Sequence, residues 1–477
     1  MKKSAVVVGA VAVVAAAYTG AAWYVGVQAE KHINAAVARA NDRIVQTLGP
    51  DLNTLSAKIE IRDYERGLFS TRARYTFVVQ DGEEQFEFAL RDHMHHGPFP
   101  WDLVKNGTFS PMLAHSHSQL EDTSTVRRWF DASRGAMPLE VDTRIAFGGS
   151  GASVWQFAPL EWLVEDESLK FSGGRAEVTF RNEFSESEGQ GEFASLIMGS
   201  DGQTIILKDI RLESRTSSSP EKVVEVQSKV QAANVSFADD TGEIVSADRV
   251  SASFESKQNG PVMDAKLHYD LQSVRMGEID LGNVSLGGQL NSFNYEAFTA
   301  LLTEYDAIAA GHGAEDGEEF DLTPEDEARL LKAVKPVLAT SPLVAVGPVT
   351  WRNDRGESIL SVQAQFQPLA GATPEEQADA LMEALKELKL DLVISRPMIL
   401  QAIAQMDPAA GDPAQLQMFA AMMFDQYVGQ LEKEGLVRRE DDKALSTIIF
   451  GSGGVDVNGE IMSVEDFMGR YGGFLLF

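Results

Sequence analysis

Residues 248–271 read DRVSASFESKQNGPVMDAKLHYDL. Val250, Ala252 and Phe254 occupy alternate positions, and Ala265, Leu267, Tyr269 and Leu271 do so again after a QNGP turn. A period of two sends successive side chains to opposite faces of a strand. The stretch is therefore two strands with one apolar face, joined tightly enough to pair antiparallel. The pattern extends upstream. In EEQFEFALRD (83–92), Phe86, Phe88 and Leu90 alternate with Gln85, Glu87 and Arg91, and similar runs lie near 57–63, 72–79, 174–182, 203–213 and 222–231. Their connections, DGEE, NGT, SGG and DDTGE, are turn-forming. Strands from about 55 to 292 are too many for one flat open sheet, so the sheet is expected to curl, close or split, with an apolar inner face.

Helical patterns enter late. SFNYEAFTALLTEYDAI (292–308) is one, and a second begins at Thr323 as N-cap with Pro324 in the first helical position. TPEEQADALMEALKEL (373–388) repeats the device, with Thr373 and Glu376 as a capping box, and the helix of 413–435 ends at Gly435. Strands such as LVAVGPVTWRN (343–353), LKLDLVIS (388–395) and GGVDVNGEIMS (453–463) lie between them. The fold class is thus α+β and β-rich: an N-terminal transmembrane helix, then a long curved antiparallel β-meander with helices packed on it toward the C-terminus. The implied divisions are an anchor at 1–28, an amphipathic helix at 29–50, a β-rich region at 51–292, and an α+β region at 293–477 continuous with the sheet.

The anchor follows from SAVVVGAVAVVAAAYTGAAWYVGVQ after Lys2 and Lys3, which carries no charge until Glu30. A run of about 20 apolar residues spans a bilayer, whereas signal-peptide cores are shorter. Trp23 and Tyr24 suit the far interface, and the two lysines hold the N-terminus in the cytoplasm. The expected location is a single pass of the bacterial inner membrane with the bulk of the chain in the periplasm; cleavage within the Ala15–Ala17 region is the alternative. In AEKHINAAVARANDRIVQTL (29–48), Ile33, Val37, Ala40 and Ile44 keep helical spacing until Gly49-Pro50.

Composition removes several functions. A net charge of −30, from 71 acidic and 41 basic residues, disfavours nucleic acid as a partner and broad adhesion to anionic lipid. With no cysteine there is no disulfide, thiolate metal site or Cys nucleophile. No metalloprotease, phosphate-loop or nucleophile-elbow signature occurs, and the glycine clusters at 148–152 and 451–454 fit turns between strands. The acidic run at 314–327 suits a solvated loop leading into a helix N-terminus, not a calcium loop. Met398, Met406, Met418, Met422 and Met423 fit either an adaptable groove or plain core.

One cluster carries metal-ligand chemistry. DHMHHGPFPW (92–101) and AHSHS (114–118) bring His93, His95, His115 and His117 in two pairs, each on one strand face. Two such pairs on neighbouring strands would surround an ion. The competing reading is a solvated polar face, because His93 and His95 continue the parity of Glu87 and Arg91. The Pro-rich segment between the pairs leaves their pairing open, and no carboxylate is obviously placed beside them.

YERGLFST (64–71), HHGPFPW (95–101), LGNVSLGGQLNSFNYEAF (281–298), LATSPLVAVGPVTW (338–351) and VDVNGEIMS (455–463) fall in one order along the chain. Together they resemble the bacterial DUF945 family of YdgA-like envelope proteins. The resemblance implies inner-membrane anchoring and a periplasmic face, with no established enzymatic role and no catalytic residue or cofactor to carry over. It makes Gly97, Pro98, Phe99 and Pro100 a structural corner, with Phe99 and Trp101 expected to pin the loop to the core. The functional expectation is a non-enzymatic envelope protein that binds a partner protein or an amphiphile along its apolar sheet face. The alternative is a periplasmic metal-dependent hydrolase built on the four histidines.

Overall fold

Residues 248–271 pair as the alternation requires. In the computed structural model Phe254 stands directly opposite Leu267, and Ala252 opposite Tyr269. Opposed residues of an antiparallel pair share a face, so the two apolar sets align. The structure describes residues 22, 24–31, 33–35, 37–38, 40–41 and 55–471, less 82–83, 165–166, 183–184, 220, 222, 240–241, 314–319, 370–383, 407–412 and 452. Cα proximity divides the chain into two units, 1–202 with 208–219, and 203–207 with 220–477.

The first unit is a meander. β1 (Leu55–Arg66), β2 (Ser70–Asp81), β3 (Glu84–His96), β4 (Ala114–Leu120), β5 (Leu139–Ile145) and β6 (Gly151–Phe157) pair in sequence order, all antiparallel. Next come β7 (Leu160–Val164), β8 (Glu167–Phe171), β9 (Gly174–Arg181), β10 (Glu186–Ser200) and most of β11 (Gln203–Ser218). β6 and β7 are two parts of one hairpin arm, because the register that sets Gly151 opposite Phe180 also sets Val164 opposite Glu167. The other arm, β8 and β9, keeps a single register against β10 and is broken only at Ser172-Gly173. Gly173 has φ +72°, and a Cβ there would lie 2.6 Å from the Phe157 carbonyl oxygen, so the break requires glycine. Two short helices, α2 (Trp101–Lys105) and α3 (Arg127–Ala132), fill the β3–β4 and β4–β5 connections.

A further helix, α1, runs through the described residues of 22–41. The expected transmembrane anchor falls on residues 1–28, of which 1–21 and 23 lie outside the described residues, as do Lys2, Lys3 and Trp23. Among the described residues no helix is long and apolar enough to cross a membrane. Tyr24 is exposed and its hydroxyl accepts from Gln28. Val25 and Ala29 of α1 are buried with Met94, Leu113 and Ala114, and Ile33 packs beside them, whereas Ile44 of the expected amphipathic pattern lies outside the described residues. Its terminator, Gly49-Pro50, lies outside the described residues. Polar contacts fix the register of α1. Glu30 pairs with Arg66 at 2.7 Å, the Asn41 amide makes both hydrogen bonds to the Ile59 backbone, and His96 Nδ1 lies 3.1 Å from the Ala22 carbonyl. Asn41 thereby satisfies backbone that β1 would otherwise leave unpaired.

Gly26 is where α1 meets that imidazole. A Cβ at Gly26 would fall 2.5 Å from His96 Cε1, and the His96 ring is buried. Gly26→Ala is expected to lift α1 from the sheet, since overpacking typically costs about 1–3 kcal/mol. Hydrogen exchange over residues 24–41 should accelerate several-fold while β2–β4 amides stay protected.

The second unit continues as β12 (Val223–Asp239), β13 (Gly242–Asn259), β14 (Val262–Met276), β15 (Ile279–Asn294), β16 (Leu343–Asn353), β17 (Gly356–Phe366) and β18 (Leu385–Ser395), paired in order. β19 (Arg438–Glu440) and β21 (Gly454–Val457) both pair with β20 (Lys443–Gly451), which pairs with β18, and β22 (Glu460–Met462) closes on β21. Helices α4 (Tyr295–His312) and α5 (Pro324–Leu338) enter between β15 and β16; α6 (Arg396–Met406) and α7 (Pro413–Lys433) follow β18; α8 (Val464–Tyr471) comes last. The division drawn at 292/293 falls inside β15, two residues before the β15–α4 junction and within the second unit, whereas contacts separate near 203–220.

One helix expectation changes. Thr373 and Glu376 lie outside the described residues, but residues 385–388 are strand, not helix: β18 starts at Leu385, opposite Phe366. Pairing with β17 satisfies this backbone and overrides the helical propensity of LKEL. The expected cap of α5 holds. Thr323 Oγ1 accepts from Asp326 N–H, Asp326 Oδ2 accepts from Thr323 N–H, and His312 Nε2 lies 2.9 Å from the same carboxylate. The Thr323 hydroxyl first, then His312, lower the Asp326 pKa to about 2. Its folded value lies below the unfolded value of 3.8, so this contribution is complete above that pH and disappears as pH falls toward 2. Asp326→Asn should abolish that component, read as a flatter acid limb in pH-dependent unfolding of the full chain.

Candidate functional site

The four predicted histidines converge on one face. β3 and β4 pair directly despite the Pro-rich connection, with His93 opposite His117 and His95 opposite His115. Their strand positions place all four on the polar face. The His93 and His95 rings are 4.5 Å apart between centroids. β5 then supplies Asp142 opposite His117 and Arg144 opposite His115.

Carboxylates surround the imidazoles, contrary to the sequence expectation. His117 Nδ1 lies 3.0 Å from Asp142 Oδ1, and His115 Nε2 lies 3.9 Å from the same oxygen. On its other side, His115 Nδ1 lies 2.5 Å from Asp102 Oδ2. Glu140 Oε1 is 4.0 Å from His117 Nε2 and accepts from the Gln119 amide. His115 is buried, whereas His93 is exposed. Burial lowers the His95 pKa, opposed by the nearby Asp102 charge. Among the described residues no group of three or more His, Asp or Glu side chains is placed so that it could hold a metal ion.

α2 delivers Asp102, and the corner before it sets the position of α2. Gly97 has φ +132°, its N–H donates to the Leu113 carbonyl, and Met112 N–H donates to the Pro98 carbonyl. The expectation that Phe99 and Trp101 pin this loop is corrected. Both side chains are exposed, Trp101 at 56%, with Lys105 Nζ 6.0 Å from its ring centroid. Leu103, Met112 and Leu113 are the buried anchors instead, because a one-turn helix turns its third residue inward while its first faces solvent.

The opposite face of β3 holds a polar group that the sequence reading missed. Asp92 shares the parity of Phe88, Leu90 and Met94, yet it is buried and accepts from Ser116 Oγ at 2.5 Å and Ser118 Oγ at 2.8 Å. Burial raises its pKa, and burial first, then the Asp92 charge, pushes Tyr75 well above its ordinary value. A carboxylate on the apolar parity of DHMHH was the available signal.

The second unit presents a continuous apolar surface. One row runs Phe254, Leu267, Gly288, Val346, Val362, Leu390 across six strands; the next runs Ala252, Tyr269, Leu286, Val349, Leu360, Leu392. The opposite face carries Glu255, Lys266, Gln289, Gln363 and Lys389 in matching register. At the far end the apolar face is roofed. Val428 and Phe424 of α7 pack with Ala444 and Ile394, while Phe467 and Tyr471 of α8 cover Val455 and Val457. Between β13 and β17 the face is open, with Phe254, Leu267, Tyr269 and Leu360 all more than a third exposed and Val346 at 54%.

The methionines divide. Met398 is fully buried, but Met418, Met422 and Met423 are exposed on α7 beside Phe419 and Tyr427, so the core reading fails for these three. α7 lays Val428 on the sheet and leaves Met418, Met422 and Met423 in exposed positions.

A pH response follows from the buried imidazoles. Burial lowers both His95 and His96 below 6.5. Folded values below the unfolded one mean that this stability is full above about pH 6.5 and lost as pH falls. Thermal unfolding of the full chain should weaken between about pH 6.5 and 5. His95→Gln should shrink that slope without changing the result at pH 8.

Comparison with known proteins adds the following. A family model described as "Bacterial protein of unknown function (DUF945)" matches residues 1–465. The chain is 24% identical over 491 residues to Protein YdgA of Escherichia coli (strain K12), covering 99% of this chain and 97% of that protein. It is 22% identical over 495 residues to the uncharacterized protein YihF of the same organism, covering 100% of both. An uncharacterized protein of Haemophilus influenzae is 26% identical over 171 residues, 36% of this chain and 46% of that one. No solved structure matches the chain.

Proposed function

The chain belongs to the DUF945 family of bacterial proteins, and from that premise we propose that it is a membrane-tethered periplasmic protein that holds an amphiphile against the open apolar face of its second unit. It acts by binding, not by chemistry. The membrane tether and the periplasmic location rest on the uncharged run after Lys2 and Lys3.

The two apolar rows carry this reading. Across them the Tyr269 hydroxyl is the sole polar side-chain atom. The strands from β14 to β17 have partners on both edges, so an added strand finds no free backbone there. A peptide laid on the rows would have its own polar backbone left without partners. An alkyl chain carries no such group. The five strands from β13 to β17, at about 4.8 Å spacing, make an open track of roughly 19 Å, longer than the roughly 15 Å that one leaflet's acyl region spans. Exposed apolar surface of this continuity marks a binding site in a folded protein.

The test is mass spectrometry of lipids that co-purify with the detergent-extracted chain. Wild type should carry a defined acyl-bearing species. Val346→Glu places a charge on the most exposed position of the rows, and should reduce occupancy at least tenfold while circular dichroism is unchanged. Absence of lipid from wild type, together with envelope crosslinks from this face to protein alone, would replace the amphiphile with a protein partner.

A further inference from the structure

We propose that one end of the first unit, ringed by Leu68, Phe69, Phe99, Trp101, Phe109 and Phe147, rests in the headgroup region of the bilayer that the chain's own N-terminal run enters. This contact rests on the membrane tether of the proposed function and adds a second, peripheral hold on the lipid. It is separate from the amphiphile face of the second unit.

Register puts the six side chains at one end of the sheet. Direct partners run Ser70, His95, His115, Arg144 and Ala152 across β2 to β6. Beyond this row lie the connections 67–69, 97–113 and 146–150, and β1 ends there too, with Arg66 opposite Thr71. Each of the six belongs to one of these connections and is exposed, Phe109 at 69% and Trp101 at 56%. The corner dictates their outward aim. Leu103, Met112 and Leu113 are buried beneath it, and Met112 N–H donates to the Pro98 carbonyl, which leaves the rings at 99, 101 and 109 outside.

Polarity reverses along the sheet. At the opposite end, the connection 121–138 exposes Asp122, Arg127, Arg128, Asp131 and Arg134 and no large apolar side chain. At the aromatic end, the three connections and the Glu65-Arg66 step before them set Glu65 and Asp102 against Arg66 and Lys105, in a chain of net charge −30. A neutral surface meets no repulsion from lipid phosphates, and aromatic rings favour the depth of the headgroups. Lys105, with Nζ 6.0 Å from the Trp101 ring centroid, can lay its stem on apolar surface and keep its charge in water.

The N-terminal run brings the bilayer to this end. No charge lies between Lys3 and Glu30, a stretch long enough to span the hydrocarbon core. α1 passes from Asn41 on Ile59, within β1, by Glu30 on Arg66, to Ala22 on His96, the last residue of β3. Ala22 therefore stands at the end that carries the six side chains. A bilayer entered by the residues before it meets this end of the sheet first.

The chain has no cysteine, so one introduced thiol takes one nitroxide label. Ser110→Cys and Asp131→Cys are made separately in the full chain, labelled, and reconstituted into phosphatidylcholine vesicles. Electron paramagnetic resonance compares collisions with oxygen, which enters lipid, and with a nickel chelate held in the water on both sides. The oxygen-to-nickel ratio should be several-fold higher at 110 than at 131. Adding Leu68→Ser, Trp101→Ser and Phe147→Ser should bring the ratio at 110 down to that at 131, with circular dichroism and flotation unchanged. Equal ratios at 110 and 131 in chains that float with the vesicles overturn the contact and leave the tether standing. A ratio at 110 unmoved by the three serines overturns the role of the ring. A full chain that does not float overturns the tether, and this contact with it.

Discussion

Antiparallel pairing is the constraint on which everything else rests. A residue and its direct partner must share a face, so register turns sequence parity into surface. In the first unit this brings His93 to His117 and His95 to His115, and then Asp142 to His117. In the second unit it aligns Phe254, Leu267, Val346, Val362 and Leu390 into one row. A slip of one residue would send the apolar set to the polar face and separate the histidines from their carboxylates.

The two surfaces have different physical characters. The histidine cluster is electrostatic: imidazoles sit between Asp102 and Asp142, with Arg144 opposite His115. The apolar rows are nearly free of polar atoms, and α7 and α8 roof the β18–β21 end. Leaving Val346, Leu360 and Tyr269 in water forgoes about 25 cal/mol for each square ångström that a roof would bury. An apolar ligand recovers that term. The net charge of −30 keeps molecules with such a face apart.

Local periodicity made much of this legible. The hairpin at 248–271, the parity of the four histidines and the Thr323 cap are all written in spacings of two to four residues. What the sequence hid is non-local. The partners of His115 and His117 come from α2 and β5, across a Pro-rich corner and a helix, and no spacing in DHMHH or AHSHS specifies them. Phe99 and Trp101 looked like anchors because they are large, but orientation in a one-turn helix buried Leu103 instead. Residues 385–388 have helical propensity and became strand because β17 and β20 flank them. The exposed methionines of α7 follow from which side of the helix meets the sheet, and that depends on tertiary packing.

Trp351 offers the most direct test of the central claim. It is the second unit's one tryptophan, and it stands opposite Val284 on the apolar face, one step along β16 from the Val349 row. Fluorescence should be followed while an acyl chain brominated along its length is added to the detergent-extracted protein. The amphiphile account predicts saturable quenching of a component that is missing in Trp351→Phe. Quenching of equal size in wild type and Trp351→Phe would contradict it, because the chain would then be bound away from this face.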